Sequence, residues 1–556
     1  MDRTGKINIT GALWGIAVCI LFIFILFPMI VVFSRIRPED IVGIFLQVRF
    51  RKIFINTILE CVCSTSISVL AGYIYAYAVV FGRIPFKRFF ASIPVLHLVT
   101  PPFVGGLSFI FLLGRQGLIT KTLLHLDISL YGFPGLLIAQ VFCFFPLSYL
   151  MCKESFEAIN RNLIEGAVSL GASKWKIFFK VIFPLSFPSL ISSFLFISVS
   201  VLSDFGNPMI VGGRFKVLSV EIYTQLTGWM NSGVSASLGL ILLIPSLILF
   251  FTQNKLFKKS VNKTSILGGK GGTMKPAAIE SVPVFRNSFI ADLFLSLFVL
   301  FMAGAVILQF VSIIAGSFQR LWGIDISFTI EHLKSTLKYG REFFNSLSFA
   351  IIASTLSVII AAFVSFCVHR VGKNKLYGIN FIDSLIQIPS AVPGSLFGLA
   401  LSCTASLLHI RAPRFMIIMA ITVSFMPFSY RIITSSFGQI KQTLDEGAKS
   451  LGAGPLKVFS LILVPLAKGG INSGWTYNFA RGVGTLSSVI FLVSFNTPLC
   501  SVRILNLAEQ GDWGIAAALA MELTLVTFGI ICAGSFFRRH DKEFFRKLIL
   551  PSKNFL

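Results

Sequence analysis

Two short stretches of this chain carry side chains suited to holding a partner protein. Each has a glutamate, two glycines and an alanine at the same spacing: Glu165, Gly166, Ala167 and Gly171 in the first, and Glu446, Gly447, Ala448 and Gly452 in the second. The carboxylate can accept charge-assisted hydrogen bonds, and the small residues let another backbone approach closely. The chemistry indicated is recognition of a partner. The alternative is an amphipathic helix at the membrane surface, held there by nearby lysines.

Three ionisable residues in apolar surroundings could contact a solute or each other. Arg481 and Glu522 lie inside long apolar runs, and Asp204 follows another such run. Ionisable groups at membrane depth usually face a pathway or a partner. The alternatives are a buried ion pair between Arg481 and Glu522, and a helix-ending turn at Asp204. No set of residues has metal-ligand spacing, so the metal ligands are unknown, and no convergent catalytic set is evident.

The composition places these residues in a membrane protein. Of 556 residues, 55% are hydrophobic and only 13% are charged, and 59 are phenylalanine. Apolar runs of about 20 residues, long enough to cross about 30 Å of hydrocarbon as a helix, recur along the chain. The net charge of +25 comes from Lys and Arg in short loops between these runs. Nucleic acid is therefore not predicted as a partner, whereas the lipid bilayer is.

Hydropathy predicts an all-α polytopic membrane protein of about twelve helices, six in each half. The first six lie near 11–33, 53–80, 89–113, 129–152, 184–204 and 234–252. The second six lie near 289–316, 345–369, 378–408, 415–437, 465–495 and 514–534. The first repeat then covers 1–252, a polar linker 253–288, and the second repeat 289–556. The bias of Lys and Arg predicts that both termini, the linker and both Glu-Gly-Ala stretches are cytoplasmic.

A fixed offset relates the two halves. Glu446 lies 281 residues after Glu165, and Pro465 lies 281 residues after Pro184. The same offset aligns FFPLSYL with FMPFSYR, and much later it aligns GVSASL with GIAAAL. An even number of spans in each half gives both copies the same orientation, so the sequence predicts a parallel repeat that encloses a central pathway.

Both stretches resemble the E-A-A, three residues, G, nine residues, I-x-L-P signature of the membrane subunits of bacterial ABC importers. We call the segments around them, about 154–183 and 438–464, the EGA loops, because Gly replaces the first Ala in both copies. Further segments narrow the resemblance to the fused two-repeat permeases of the ferric-iron type. These segments are GRQGLI (114–119), YGFPGLLIAQVFCFFPLSYL (131–150), SDFGNPMIVGG (203–213) and AEQGDWGIAAALA (508–520).

The resemblance implies a permease of the bacterial inner membrane whose EGA loops act as coupling helices. Each loop would dock into one of two copies of a cytoplasmic ATPase subunit, and the eight signature residues would carry that coupling. An extracytoplasmic solute-binding protein would deliver the solute. The chain has no Walker motif. ATP and Mg are therefore expected on the partner ATPase, with no cofactor and no enzymatic activity in this chain.

The solute itself is less well defined than the transport class. The resemblance implies ferric iron first, but fused permeases of similar appearance also serve thiamine, phosphonates and sugar phosphates. An ion-coupled secondary transporter is an alternative of another class, because twelve spans in two halves fit that architecture too. The duplicated EGA loop disfavours this alternative, since an ion-driven carrier has no ATPase to dock.

Overall fold

The computed structural model describes residues 9–101, 103–123, 125, 130–267, 289–371 and 379–549. These residues are mostly helical, as the apolar composition requires of a chain in lipid. The helices of the first half are α1 (Ile9–Leu21), α2 (Phe27–Phe33), α3 (Pro38–Leu46), α4 (Val48–Phe81), α5 (Lys87–Val99), α6 (Phe103–Leu113), α7 (Phe133–Glu157), α8 (Arg161–Ser169), α9 (Lys174–Ile177), α10 (Phe183–Leu202), α11 (Gly206–Val211), α12 (Leu218–Thr227) and α13 (Ser232–Leu267).

The second half adds twelve α-helices and one hairpin to the described residues. They are α14 (Phe289–Phe318), β1 (Gln319–Leu321), β2 (Asp325–Phe328), α15 (Glu331–Thr336), α16 (Gly340–Phe366), α17 (Ile379–Leu385), α18 (Gly394–Leu407), α19 (Pro413–Gln439), α20 (Gln442–Ser450), α21 (Pro455–Val458), α22 (Val464–Leu466), α23 (Lys468–Val483), α24 (Cys500–Gln510) and α25 (Trp513–Ile549). The antiparallel β1–β2 hairpin was not predicted. Its turn contains Gly323 with a φ of +71°, a conformation that favours glycine.

Nine helical stretches in the described residues are long and apolar enough to cross a membrane, or eleven if two bent pairs count as one span each. The bent pairs are Phe381–Ser390 with Gly394–Leu407, at 104°, and Pro455–Leu466 with Lys468–Val483, at 75°. The prediction of about twelve spans differs at 89–113, where α5 ends at Val99 and α6 begins at Phe103. Thr100 is extended because it precedes a proline, and this breaks the predicted span.

Two further boundaries differ from the hydropathy prediction. The predicted eleventh span, 465–495, is helical only as far as Val483, and the residues from Gly484 to Leu499 run in turns and extended backbone. The predicted linker, 253–288, begins as helix, because α13 continues to Leu267; residues 268–288 lie outside the described residues. Hydropathy cannot detect either boundary, since it measures apolar character and not backbone conformation.

Each half contains a compact group of three helices. In the first half, α4, α7 and α10 pack on one another, and in the second half α16, α19 and α23 do the same. Gly72 of α4 permits a close approach between α4 and α7 in the first group. A Cβ at that position would lie 2.5 Å from the Cβ of Ser148 and 2.7 Å from the backbone carbonyl of Phe145 on α7.

The first span of each half packs on the other half. In the N-terminal span, α2 contacts α18 of the second half. Reciprocally, α14 contacts α4, α5 and α6 of the first half. The two halves are therefore interlocked by an exchange of their first spans.

Candidate functional site

The first EGA loop folds as two short helices joined by a glycine turn. The helix α8 begins after Asn160, whose side chain accepts a hydrogen bond from the backbone N–H of Asn162 at 3.0 Å. The helix ends at a turn in which Gly171 has a φ of +73°. There the N–H of Ala172 donates to the carbonyl of Ala167 at 3.0 Å, which is the bond of a Schellman motif. The signature glycine is thus required by the backbone of the turn.

The second EGA loop repeats this geometry. Gly452 has a φ of +82° after α20, and the N–H of Ala453 donates to the carbonyl of Ala448 at 2.9 Å. The N–H of Gly452 donates to the carbonyl of Lys449 at 3.0 Å, as the N–H of Gly171 does to Val168 at 2.9 Å. The repeat in sequence is therefore also a repeat in local structure.

The signature residues divide between an inward and an outward face in both loops. Ala167 and Ala448 are half-buried and pack against the hydrophobic core. The glutamates and glycines are exposed, and a Cβ at any of the four glycines would meet no heavy atom within 4 Å. The close approach predicted at these glycines is therefore not made within this chain. The space beside them is open to a partner.

A leucine extends the outward face in each loop. Leu170 and Leu451, which are related by the offset of 281, are both 89% exposed. Each follows the last residue of its first short helix and precedes the turn glycine. A large apolar side chain that is this exposed at the same place twice is suited to insertion into an apolar groove.

The loops differ in how they are attached to the membrane helices. In the second loop, Asp445 pairs with Arg370 at 2.8 Å, and both side chains are buried. Arg370 also donates to the carbonyls of Phe437 and Ile440, the latter at 2.7 Å. In the first loop, the position of Asp445 is occupied by Ile164, which is buried in apolar contacts. One loop is thus attached by an ion pair and the other by hydrophobic packing.

The prolines predicted to begin the next spans lie in the first turn of a helix, as expected, but the helix does not start there. A π-helical segment, Phe178–Ile182, joins α9 to α10, so the helical stretch from Lys174 to Leu202 is continuous across Pro184. The second loop has the same arrangement, with a π-helical Phe459–Leu463 before Pro465. In the first loop the second short helix is therefore a direct extension of the following span, whereas in the second loop the chain bends by 75° between Leu466 and Lys468.

A cavity of about 240 Å³ lies between the two halves. Eight residue pairs related by the offset of 281 line it from both sides: Cys143 with Ser424, Phe144 with Phe425, Phe196 with Tyr477, Ser200 with Arg481, Ser203 with Gly484, Asp204 with Thr485, Phe205 with Leu486, and Gly206 with Ser487. The broken segment around Pro389 adds to the wall. This central cavity therefore lies on the axis that relates the two repeats.

Asp204 is held by a buried hydrogen-bond network at the edge of the central cavity. Its carboxylate accepts from the side-chain amides of Gln140 at 3.0 Å and Asn207 at 2.9 Å. The same Gln140 amide donates to Glu60 at 2.7 Å. Glu60 is only 3% exposed. Asp204 lies in the turn between the end of α10 at Leu202 and the start of α11 at Gly206, in agreement with the helix-ending turn considered from the sequence.

The ion pair considered between Arg481 and Glu522 is not formed. Glu522 accepts a hydrogen bond from the hydroxyl of Thr336 at 2.8 Å, which joins α25 to α15. Arg481 lines the central cavity. Within the described part of the chain, its guanidinium makes no hydrogen bond and no ion pair at 4.0 Å or less. The two charges that looked like partners in the sequence thus have separate environments.

Sequence reasoning did not single out Arg431, which also lines the central cavity. Its guanidinium donates to the side-chain oxygens of Gln387 at 3.1 Å and Asn254 at 3.2 Å. The signal was present in the repeat, because Arg431 replaces Leu150 of the first half. Among the described residues, no group of three or more His, Cys, Asp or Glu side chains is arranged to hold a metal ion.

Known proteins match both halves of the chain. The family described as "Binding-protein-dependent transport system inner membrane component" matches residues 15–263 and 373–545. The ferric transport system permease protein FbpB of Actinobacillus pleuropneumoniae is 29% identical, over 94% of this chain and 77% of that protein. The putative ferric transport system permease protein FbpB 1 of Haemophilus influenzae is 28% identical, over 86% and 77%. The Fe(3+)-transport system permease protein FbpB 2 of the same organism is 23% identical, over 92% and 94%.

Proposed function

Because this chain belongs to the family of binding-protein-dependent transport system inner membrane components, we propose that it forms the translocation pathway of an ATP-driven importer for ferric iron. We take the solute from the names of three relatives, which are all ferric transport system permeases. This chain matches each of them over at least 77% of its length. Thiamine, phosphonates and sugar phosphates are the alternative solutes.

The paired EGA loops are the observation that carries the proposal. Each presents an exposed glutamate, open space beside two glycines and an 89% exposed leucine in the same local geometry. Two equal surfaces suit two copies of one partner, which we identify as a cytoplasmic ATPase subunit that binds ATP and Mg. This chain then supplies the pathway and no catalysis, and a binding protein outside the membrane delivers the solute.

The fold supports a rigid-body mechanism. The second short helix of the first EGA loop is continuous with α10, which lines the central cavity, through the π-helical segment before Pro184. The second short helix of the second loop leads through Pro465 into α23, which also lines the cavity, across a bend of 75°. Closure of the ATPase pair would draw the loops together and rotate the halves about the cavity. The distribution of Lys and Arg supports a cytoplasmic location for the EGA loops, the linker and both termini.

Uptake measurements test this function directly. Cells that lack the importer and express the full chain with its partners would take up radiolabelled ferric iron, and thiamine and a hexose phosphate would be offered in parallel. The variant Glu165→Lys/Glu446→Lys should lose at least tenfold of the uptake and lose co-purification with the ATPase, because each partner meets a reversed charge. The matched control is Glu154→Lys, an exposed glutamate of the first EGA loop outside the signature.

The energy source separates the two transport classes. A protonophore added while cellular ATP is maintained should leave uptake unchanged. Uptake that stops with the ion gradient and survives the double glutamate variant would identify a secondary transporter instead. Uptake of thiamine or hexose phosphate in place of iron would keep the ATP-driven class and change the solute.

A further inference from the structure

Arg481 carries a positive charge at membrane depth and has no anionic partner among the described residues. Its helix, α23, forms part of the cavity wall, to which Cys143 of the first half also belongs. Within the described residues it makes no ion pair or hydrogen bond. Arg481 is half-buried, and a charge that is partly withdrawn from water normally has a partner, because losing its hydration is costly. An intramembrane charge that faces a cavity without one therefore points to a ligand.

The acidic residue of the same cavity is not available to neutralise this charge. The Asp204 carboxylate accepts from Gln140 and Asn207, and its distance from Arg481 exceeds that of an ion pair. Arg431 is already held by Gln387 and Asn254. With one carboxylate and two guanidinium groups, the lining of the central cavity carries a net positive charge, which disfavours a bare trivalent cation.

Hydroxyl groups accompany the charge. Ser203 lines the cavity, and its hydroxyl is buried without a hydrogen-bond partner. Ser200 lies at the position related to Arg481 by the repeat, on the opposite half, and its hydroxyl donates to the carbonyl of Phe196 at 2.9 Å. Guanidinium groups bind carboxylate and phosphate oxygens in a bidentate manner, and hydroxyls complete such sites as additional donors. The cavity thus holds donors that an oxyanion would satisfy and a bare metal ion would not.

We propose that Arg481 binds an anionic oxygen group of the solute in the central cavity. The solute then crosses either as a ferric ion coordinated by an oxyanion or as an iron-free phosphate ester, and not as a bare ferric ion. The proposal rests on the importer function proposed above and names the chemical class of its solute. The volume of about 240 Å³ is many times that of a bare metal ion and accommodates such a complex.

The repeat provides a test that separates ligand binding from a structural role. Arg481→Gln should lower ATP-dependent uptake at least tenfold, and Arg481→Lys should retain part of it, because the charge is kept and the bidentate fork is lost. The swap Ser200→Arg/Arg481→Ser returns the guanidinium to the cavity from the opposite half and should restore uptake above that of Arg481→Gln. The amount of each variant in the membrane and its co-purification with the ATPase serve as folding controls.

Two labels distinguish the sources of the anion. Radiolabelled ferric iron is supplied either with phosphorus-labelled phosphate or with citrate. In a separate arm, a phosphorus-labelled hexose phosphate is supplied without iron. Entry of iron and phosphorus in a fixed ratio identifies a ferric–phosphate complex, and dependence of iron uptake on citrate identifies a carboxylate complex. Entry of the ester alone identifies a phosphate ester.

Three results would overturn the proposal. The first is wild-type uptake in Arg481→Gln, and the second is a loss that neither Arg481→Lys nor the swap relieves. The third is iron uptake that needs no anion. Failure of the wild-type chain to take up any of these solutes in an ATP-dependent manner would instead refute the importer function itself.

Discussion

Replacing the two turn glycines tests whether the EGA loops need their backbone conformation or the open space beside it. Gly171 and Gly452 have φ of +73° and +82°, where alanine is strained by about 1–2 kcal/mol. That range lowers the ratio of folded to unfolded turn by roughly 5- to 30-fold. No heavy atom lies within 4 Å of a Cβ at either position, so no steric cost within the chain adds to this figure.

Two double variants and one control measure the effect. Asparagine tolerates the left-handed conformation better than alanine but is larger, so Gly171→Asn/Gly452→Asn separates backbone strain from size when compared with Gly171→Ala/Gly452→Ala. Gly438→Ala is the control, because Gly438 is an exposed helical glycine whose Cβ would also meet nothing. The assays are co-purification with the ATPase and ATP-dependent uptake. The asparagine pair should retain more of both than the alanine pair, and the control should match the wild type.

The opposite order would refute the backbone argument. If the alanine pair is the more active, the glycines are required by the close approach of a partner. If both pairs match the wild type, the loops do not need this turn for coupling.

Three other substitutions follow from the packing. Asp445→Ala should destabilise the protein by about 3 kcal/mol in a thermal unfolding assay, because it leaves Arg370 buried without its carboxylate. The double variant Arg370→Leu/Asp445→Ile copies the apolar attachment of the first loop and should recover most of the lost stability. Gly72→Ala should cost about 1–3 kcal/mol in the same assay, because the methyl group meets the backbone of α7. Glu522→Gln should change stability by less than about 0.5 kcal/mol and leave uptake intact, because the amide oxygen can still accept the hydrogen bond from α15.

Each of these expectations has a clear contrary result. A double variant at Asp445 and Arg370 that is less stable than Asp445→Ala would show that the ion pair is not the source of the loss. Unchanged unfolding of Gly72→Ala would mean that α4 and α7 can move apart freely. Loss of uptake in Glu522→Gln at full abundance in the membrane would assign Glu522 a role in the pathway.

The EGA loops could be predicted well from the sequence because their signature is local. A glycine at a helix end and an identical spacing 281 residues later specify a turn without knowledge of distant contacts. The helix breaks were harder to place. Hydropathy averages over a window, so it placed one span through Thr100 and another past Val483, where backbone conformation decides the boundary.

The chemistry of the central cavity could be predicted least. Arg481 and Glu522 are rare charges in neighbouring spans, and the sequence offers no means of choosing between a pair and separate roles. The choice depends on Thr336, which lies 186 residues from Glu522 in the chain and supplies its hydrogen bond. The burial of Glu60 likewise depends on Gln140, which is 80 residues away. Contacts at such separations follow from the packing of the two halves and not from local patterns.

The exchange of first spans also bears on how the protein is made. The residues of α2 that contact α18 are synthesised more than 360 residues before α18 itself. The first half therefore emerges from the ribosome with this contact unmade, and it must wait in the bilayer until the second half is inserted. We expect the isolated first half to be a ready target for membrane quality-control proteases, and co-expression of the second half as a separate chain to protect it. Because the halves exchange their first spans, we expect neither half to persist in the membrane unless the other half is also made.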